Sequence, residues 1–216
     1  MRIDLNLDAG EGFGIELEAA QWVSSFNLSL GAHAGTLQAS TELAKQLKAL
    51  GKGVGLHPGY PDRAGFGRRS PSPDEISAWR SDVLAQLEDA FPADYVKFHG
   101  ALYHDSQRDA EWLRPVIQKL GLTVLGLAGT EHETLGVRLY REGFCERGYR
   151  GSHLIPRGEP GATLTDLTEI CEQAVRLAAN CDSICIHGDN PQALTIAEAV
   201  QEALIKEGYT IAPFAV

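Results

Sequence analysis

The sequence predicts an α/β fold built from repeated βα units, and two observations carry that reading. Short apolar or β-branched runs that stop at Gly or a polar residue alternate with segments of helical periodicity along the whole chain. The unusual polar residues then collect where those runs stop, and in parallel β/α folds all such ends open on one face. Periodicity alone admits both a closed barrel and an open doubly wound sheet. The gathering of polar residues at the run ends favours the barrel.

The chain opens Met1-Arg2-Ile3-Asp4-Leu5-Asn6, an alternation that predicts a strand over 2–8 and has neither the basic start nor the long apolar stretch of a secretory signal. After the brief stretch 12–25, a strand is expected over 26–32. A helix follows over 37–50, where Leu37, Leu43, Ala44, Leu47 and Leu50 keep spacings of three and four and Gly51 is the stop. The next strand is 53–57, and Ser72-Pro73-Asp74-Glu75 signals the start of a helix over 73–91. Strands over 94–99, 122–128, 138–144, 182–187 and 209–213 complete the pattern, with helices over 108–120, 166–179 and 191–207, the last framed by Pro191 and Gly208.

The 216 residues suit one domain over 1–216, and 44% hydrophobic with 22% charged residues is a globular composition. Asp and Glu number 29 against 19 Lys and Arg, a net charge of −10, and no basic run exceeds Arg68-Arg69. Such a field repels phosphate backbones, so nucleic acid is excluded as a partner. No apolar run approaches the ~18–20 residues of a membrane span. Cys145, Cys171, Cys181 and Cys185 form no C-x-x-C pair and read as reduced, mostly buried thiols. These features together point to the cytoplasm.

At the expected strand ends stand Asn6, Asp8 and Glu11; Gly31-Ala32-His33-Ala34-Gly35; His57-Pro58-Gly59-Tyr60; Lys97-Phe98-His99-Gly100; and His187-Gly188-Asp189-Asn190. Four of the seven His therefore sit where a strand stops, each with a Gly within two residues. Imidazole passes protons or binds metals near neutral pH, Asp8 and Asp189 can orient a His or activate water, and Lys97 can stabilise an oxyanion or phosphate. Each also has a plain structural reading. Asp8 can close an Asx-turn, Asp189 and Asn190 can cap the helix begun at Pro191, and Lys97 can be a solvated strand-end Lys, although its place two residues before His99 puts both on one strand face. Two rigid Gly/Pro-rich loops, 55–69 and 155–161, carry Arg68-Arg69 and Arg157 as candidates for an anionic ligand. His104, His132 and His153 lack such placement and read as surface or packing residues. Neither a G-x-x-x-x-G-K-[ST] loop nor a strand-linked G-x-G-x-x-G is present, and a G-x-S-x-G elbow is missing too, which argues against a serine hydrolase.

Taken in order, the stretches 4–11, 31–35, 57–62 with 65–69, 96–103, 126–129 and 182–191 resemble the LamB/YcsF family, the A subunit of bacterial 5-oxoprolinase. The resemblance implies an irregular (β/α) barrel of about seven strands, a variant of the eight-stranded plan akin to the barrels of NodB-type polysaccharide deacetylases. It implies ATP-dependent opening of 5-oxo-L-proline (pyroglutamate) to L-glutamate with release of ADP and phosphate, performed with separate B and C subunits. ATP would be a cosubstrate, and phosphorylation of the lactam oxygen together with those partners suits a chain without a nucleotide motif. Carried over by position, Asp8 or Glu11 with His57 and His99 would activate water and transfer protons, and Lys97 would meet the lactam oxygen or its phosphate. Asn6, His33, Arg68, Arg157, His187 and Asp189 would bind the substrate. Two alternatives stand beside this: a stand-alone metal-dependent amidohydrolase or deacetylase with Asp8, His33 and His57 on a divalent ion, and a non-catalytic subunit that only presents ligand to its partners. The chain departs from the family pattern at Leu7, Leu30, Ala32, Thr36, Phe98, His104 and Glu146. Leu7, Leu30 and Thr36 are expected to remove polar groups near the pocket. Family members generally run longer, and the shortening is expected in helices and loops, notably 12–25.

Overall fold

The computed structural model describes residues 1–151 and 153–215. Its elements run β1 (Arg2–Ala9), α1 (Glu16–Ala19), β2 (Ser25–Ser29), α2 (Leu37–Ala49), β3 (Gly53–His57), α3 (Ile76–Glu88), β4 (Tyr95–Val96), α4 (Gly100–Ser106), α5 (Arg114–Leu120), β5 (Thr123–Gly126), β6 (Leu139–Phe144), β7 (Tyr149–Arg150), β8 (His153–Leu154), α6 (Leu167–Ala178), β9 (Ser183–Ile186), α7 (Ala193–Lys206) and β10 (Thr210–Ile211). Seven of the strands close into a parallel ring in the order β1-β2-β3-β4-β5-β6-β9, and β1 completes it by pairing Asp4–Leu7 with Ser183–Ile186 of β9. The fold is thus the irregular (β/α) barrel that the family resemblance implies.

Several boundaries move. The expected strand over 26–32 ends at Ser29, which leaves Gly31–Gly35 as a loop. The expected strand over 209–213 shrinks to β10, which pairs with Arg2 and Ile3 at the start of β1 outside the ring. A helix not expected from periodicity, α4, begins directly after His99, and the antiparallel pair β7–β8 precedes the Arg157 loop. The 12–25 stretch holds only the four-residue α1. Among the described residues, no helix is long and apolar enough to cross a membrane.

Alternation along the strands sorts two environments. On β1, Ile3, Leu5 and Leu7 belong to the apolar core, whereas Asp4, Asn6 and Asp8 are equally buried but bonded to polar groups of other strands. Asn27 on β2 donates to Asn6 Oδ1 at 2.7 Å and to Asp8 Oδ1 at 2.8 Å, and the Tyr95 hydroxyl from β4 donates to Asn27 Oδ1 at 2.7 Å. Lower in the barrel, the hydroxyls of Ser24, Ser25 and Ser183 all donate to the Asp4 carboxylate. The ring therefore has a hydrogen-bonded polar interior and an apolar outer surface covered by helices, and buried polar groups of this kind persist because each finds partners.

Candidate active site

At the carboxyl ends of the strands, a cleft of about 470 Å³ is lined by Asp8, Glu11, His57, Lys97, His99 and Arg68, among others. Asp8 comes from the end of β1, His57 is the last residue of β3, and Lys97 and His99 follow β4. The sequence thus brings the expected acid/base residues together. Arg157, His187 and Asp189 share the cleft. Two expected binders lie elsewhere: His33 has no exposed surface and packs behind the cleft, and Asn6 lies beneath it, donating to Ser183 Oγ at 2.7 Å.

Lys97 is 2% exposed and wholly engaged. Its Nζ lies 2.6 Å from Asp8 Oδ1, 2.8 Å from Glu142 Oε1 of β6 and 3.0 Å from Cys185 Sγ of β9. These three nearest contacts match the three protons of an ammonium group, with Asn6 Oδ1 a longer fourth at 3.4 Å, so Lys97 meets a substrate oxygen only by releasing a partner. Burial by itself would raise the Asp8 carboxyl, but the Lys97 ammonium and then the neighbouring His57 outweigh it and hold Asp8 well below the usual carboxylate range. Burial also opposes charge on Lys97, yet Asp8 and its neighbours keep the ammonium well above its ordinary value. Burial dominates at Glu142 and pushes its carboxyl up. Glu142 is a site residue that the sequence does not announce.

Beside this ion cluster stand three imidazoles and Glu11. His33 and His99 stack at 3.8 Å between centroids with planes 2° apart, and His57 meets both edge-on. His57 Nδ1 lies 2.8 Å from the Lys97 carbonyl oxygen, and His99 Nε2 lies 2.8 Å from that of Phe66. Burial lowers all three rings, His57 to about 3 and His33 and His99 well below their ordinary value, so the rings are neutral. Burial, and then the negative charge of Asp8, raises Glu11 well above its ordinary value. The stacked pair rests on Gly67, which has φ of +65° and where a Cβ would come 2.8 Å from His33 Cβ and 2.9 Å from His99 Cδ2. Gly67→Ala is therefore expected to cost about 1–3 kcal/mol through strain and overpacking. Urea unfolding checks this, and an unchanged midpoint would contradict the packing described.

The opposite wall is cationic. Arg147 is 3% exposed and donates to the carbonyls of Ala162 at 2.9 Å and Ile155 at 2.6 Å, and neither it nor Arg157 has an ion-pair partner among the described residues. Burial, and then the charge of Arg157, lowers Arg147 to about 10; burial followed by the charge of Arg68 lowers Arg157. Arg68 is paired with Asp189. Arg69 turns away, pairing with Glu75 and lying over Trp79. Glu146 holds the start of the His187 loop, its Oε2 accepting the His187 backbone N–H at 2.8 Å.

His104 corrects the surface or packing assignment, since it lines the cleft from the unpredicted α4, whereas His132 is a packing residue whose Nε2 lies 2.8 Å from Ser106 Oγ. The departures at Leu7, Leu30 and Thr36 do not touch the cleft. Leu7 and Leu30 are core residues, and Thr36 caps α2 by accepting from the Ala39 N–H at 3.2 Å. Asp8 forms no Asx-turn, because the Gly10 N–H that would close it donates to Glu16 Oε1 at 3.0 Å.

Comparison with known proteins agrees with this architecture. The A subunit of a 5-oxoprolinase from Thermus thermophilus is 38% identical, with 99% of this chain and 100% of that protein covered. The crystal structure of a lactam utilization protein, also from Thermus thermophilus, superposes with a TM-score of 0.79 at 36% identity, covering 100% of both chains. A family 4 carbohydrate esterase from Streptomyces lividans, at 13% identity and a TM-score of 0.53 over 97% of this chain and 91% of its own, shares the fold. The LamB/YcsF family profile matches residues 3–216, and with the full-length relatives this establishes that the chain belongs to the LamB/YcsF family.

Proposed function

We propose that this chain is the A subunit of an ATP-hydrolysing 5-oxoprolinase, opening the lactam of 5-oxo-L-proline to L-glutamate with B and C subunits as partners. The names of the full-length relatives support the activity and, because they designate one subunit among several, the assembly. The observation that carries the reading is the opposition, across one cleft, of Asp8, Glu11, His57 and His99 to Arg68, Arg147 and Arg157. The substrate is a small carboxylate whose amide must be attacked, and the cleft offers a cationic wall for the carboxylate and phosphate beside groups that handle protons.

An unstrained five-membered lactam is a poor electrophile. Transfer of the terminal phosphoryl group of ATP to its oxygen makes the ring carbon attackable. Water then adds to that carbon, the ring C–N bond breaks with the nitrogen taking a proton, and a second water releases phosphate from the acyl phosphate so formed. Asp8 Oδ2, which faces His57 Nε2 at 3.7 Å at the cleft, is the acceptor we assign to the attacking water. Lys97 serves by fixing Asp8. Reconstitution with B and C subunits, following ATP-dependent glutamate release, tests the assignment. Glutamate formed at full rate by B and C alone, or none formed by the folded three-subunit mixture, would overturn it.

A further inference from the structure

The contacts among Glu11, His33, His57 and His99 are not explained by hydrogen bonding. A backbone carbonyl only accepts, so the 2.8 Å contacts of His57 Nδ1 with the Lys97 oxygen and of His99 Nε2 with the Phe66 oxygen place the ring protons on those nitrogens. The remaining nitrogens, His57 Nε2 and His99 Nδ1, then carry lone pairs, and they face one another at 3.0 Å. A third acceptor joins them: Glu11 Oε1 lies 3.5 Å from His99 Nδ1, 3.4 Å from His33 Nε2 and 4.0 Å from His57 Nε2. Glu11 Oε1 and both ring nitrogens of His33 are buried without any hydrogen-bond partner. Lone pairs and orphaned atoms turned toward a common point call for a cation.

A proton shared by His57 and His99 would answer one of these contacts and leave His33 and Glu11 orphaned. A metal ion answers Glu11 Oε1, His33 Nε2, His57 Nε2 and His99 Nδ1 together and leaves only His33 Nδ1 unpaired. Ligand atoms about 2.0–2.2 Å from a tetrahedral ion stand about 3.3–3.6 Å from each other, and the four atoms here all lie within 4.8 Å, with the 3.4 and 3.5 Å separations of Glu11 Oε1 from His33 and His99 at that edge length and the 3.0 and 4.0 Å separations on either side of it. The outer contacts fit as well, because a metal-bound imidazole ordinarily donates its other N–H to a carbonyl or carboxylate, as His57 and His99 do. Three imidazole nitrogens and one carboxylate oxygen suit a zinc-type transition metal rather than magnesium or calcium.

We propose that Glu11 Oε1, His33 Nε2, His57 Nε2 and His99 Nδ1 bind one zinc-type divalent ion. This replaces the expected trio of Asp8, His33 and His57, since Glu11 and His99 rather than Asp8 complete the group whose ligand atoms lie within 4.8 Å of one another. The bound ion supplies positive charge beside the cleft. With the imidazole lone pairs committed, Asp8 Oδ2 is the acceptor left for the proton of water.

The test is metal binding to the whole chain without substrate, so its outcome is independent of the ring-opening reaction. Chelator-treated protein is titrated with cobalt(II) alone, following visible absorption, metal content per chain and thermal unfolding. One equivalent is expected to bind, with a tetrahedral absorption band and a raised unfolding temperature. His33→Gln and Glu11→Gln, each checked for folding by circular dichroism, are expected to weaken binding by at least about 10²-fold. Cys185→Ser is expected to leave it within about threefold, because Asp8, Cys185 and His187 form the other cluster of candidate donors. No binding by the folded wild-type chain, undiminished binding by folded His33→Gln and Glu11→Gln, or loss of binding in Cys185→Ser would overturn the proposal.

Discussion

Lys97→Met is expected to destabilise the fold by about 3–5 kcal/mol and to lower turnover at least about 10²-fold. The side chain is 2% exposed and stands between two carboxylates that are themselves buried, Asp8 at 2.6 Å and Glu142 at 2.8 Å. Met fills a similar volume, so the cost is electrostatic. Removing one member of a buried ion cluster leaves its partners uncompensated, and that penalty exceeds what the intact cluster contributes over an apolar replacement. The double variant Lys97→Met/Glu142→Gln separates the contributions: it removes one stranded carboxylate and should recover about 1–2 kcal/mol while remaining inactive, because Asp8 is still unsupported. Urea unfolding and the reconstituted glutamate assay measure the two effects. Lys97→Met within about 1 kcal/mol of wild type would show that the carboxylates do not rely on the ammonium. Lys97→Arg is a further control, since a planar guanidinium cannot occupy a cage built around three converging ammonium contacts.

How far the sequence reveals the site depends on where each signal resides. A strand that stops at His-Pro-Gly or Lys-Phe-His-Gly is a local pattern, so His57, Lys97 and His99 can be placed at one face before any contact is known. Glu142 and Glu146 carry no such mark. The run Leu139-Tyr140-Arg141-Glu142-Gly143-Phe144 reads as an ordinary alternating strand, and alternation states only that one face differs from the other. Usually the polar face meets water. In this ring it meets the barrel interior, so Glu142 ion-pairs with Lys97 while the neighbouring Arg141 pairs at the surface with Asp182. The helix α4 is hidden for a different reason: it starts at Gly100, with φ of +52° and only three residues between it and the end of β4, so its seven residues lack both a recognisable cap and enough length for a period. His104 rides on that helix and escapes notice with it. Pairing of His33 with Glu11 across separate loops is a tertiary fact that neither stretch contains alone.

Asp4 provides the strongest stability test away from the cleft, and Asp4→Ala is expected to cost about 3–5 kcal/mol. The hydroxyls of Ser24 and Ser25 each donate to its Oδ1 at 2.6 Å, Ser183 donates to Oδ2, and all four residues are buried. Ala would leave donors from β9 and from the entry to β2 stranded in a dry interior, at a seam where β9 closes the ring on β1. Asp4→Asn keeps the acceptor and offers an amide that Ser183 can accept, so it preserves the seam without the charge. The pH dependence has a definite sign. Burial raises the Asp4 carboxyl from 3.8 to about 6, against the lowering effects of the three serines and Arg2. A raised folded-state pKa means that the folded chain holds a proton the unfolded chain has released, so this contribution favours folding below about pH 4 and is lost as pH rises to about 6. The stability of wild type relative to Asp4→Asn should therefore fall by up to about 3 kcal/mol between pH 4 and pH 7. Urea unfolding of both proteins at the two pH values measures this difference directly, with other titrating groups cancelling. A difference that stays constant, or that grows with pH, would mean that Asp4 remains ionised throughout and that the serine hydroxyls compensate its burial in full.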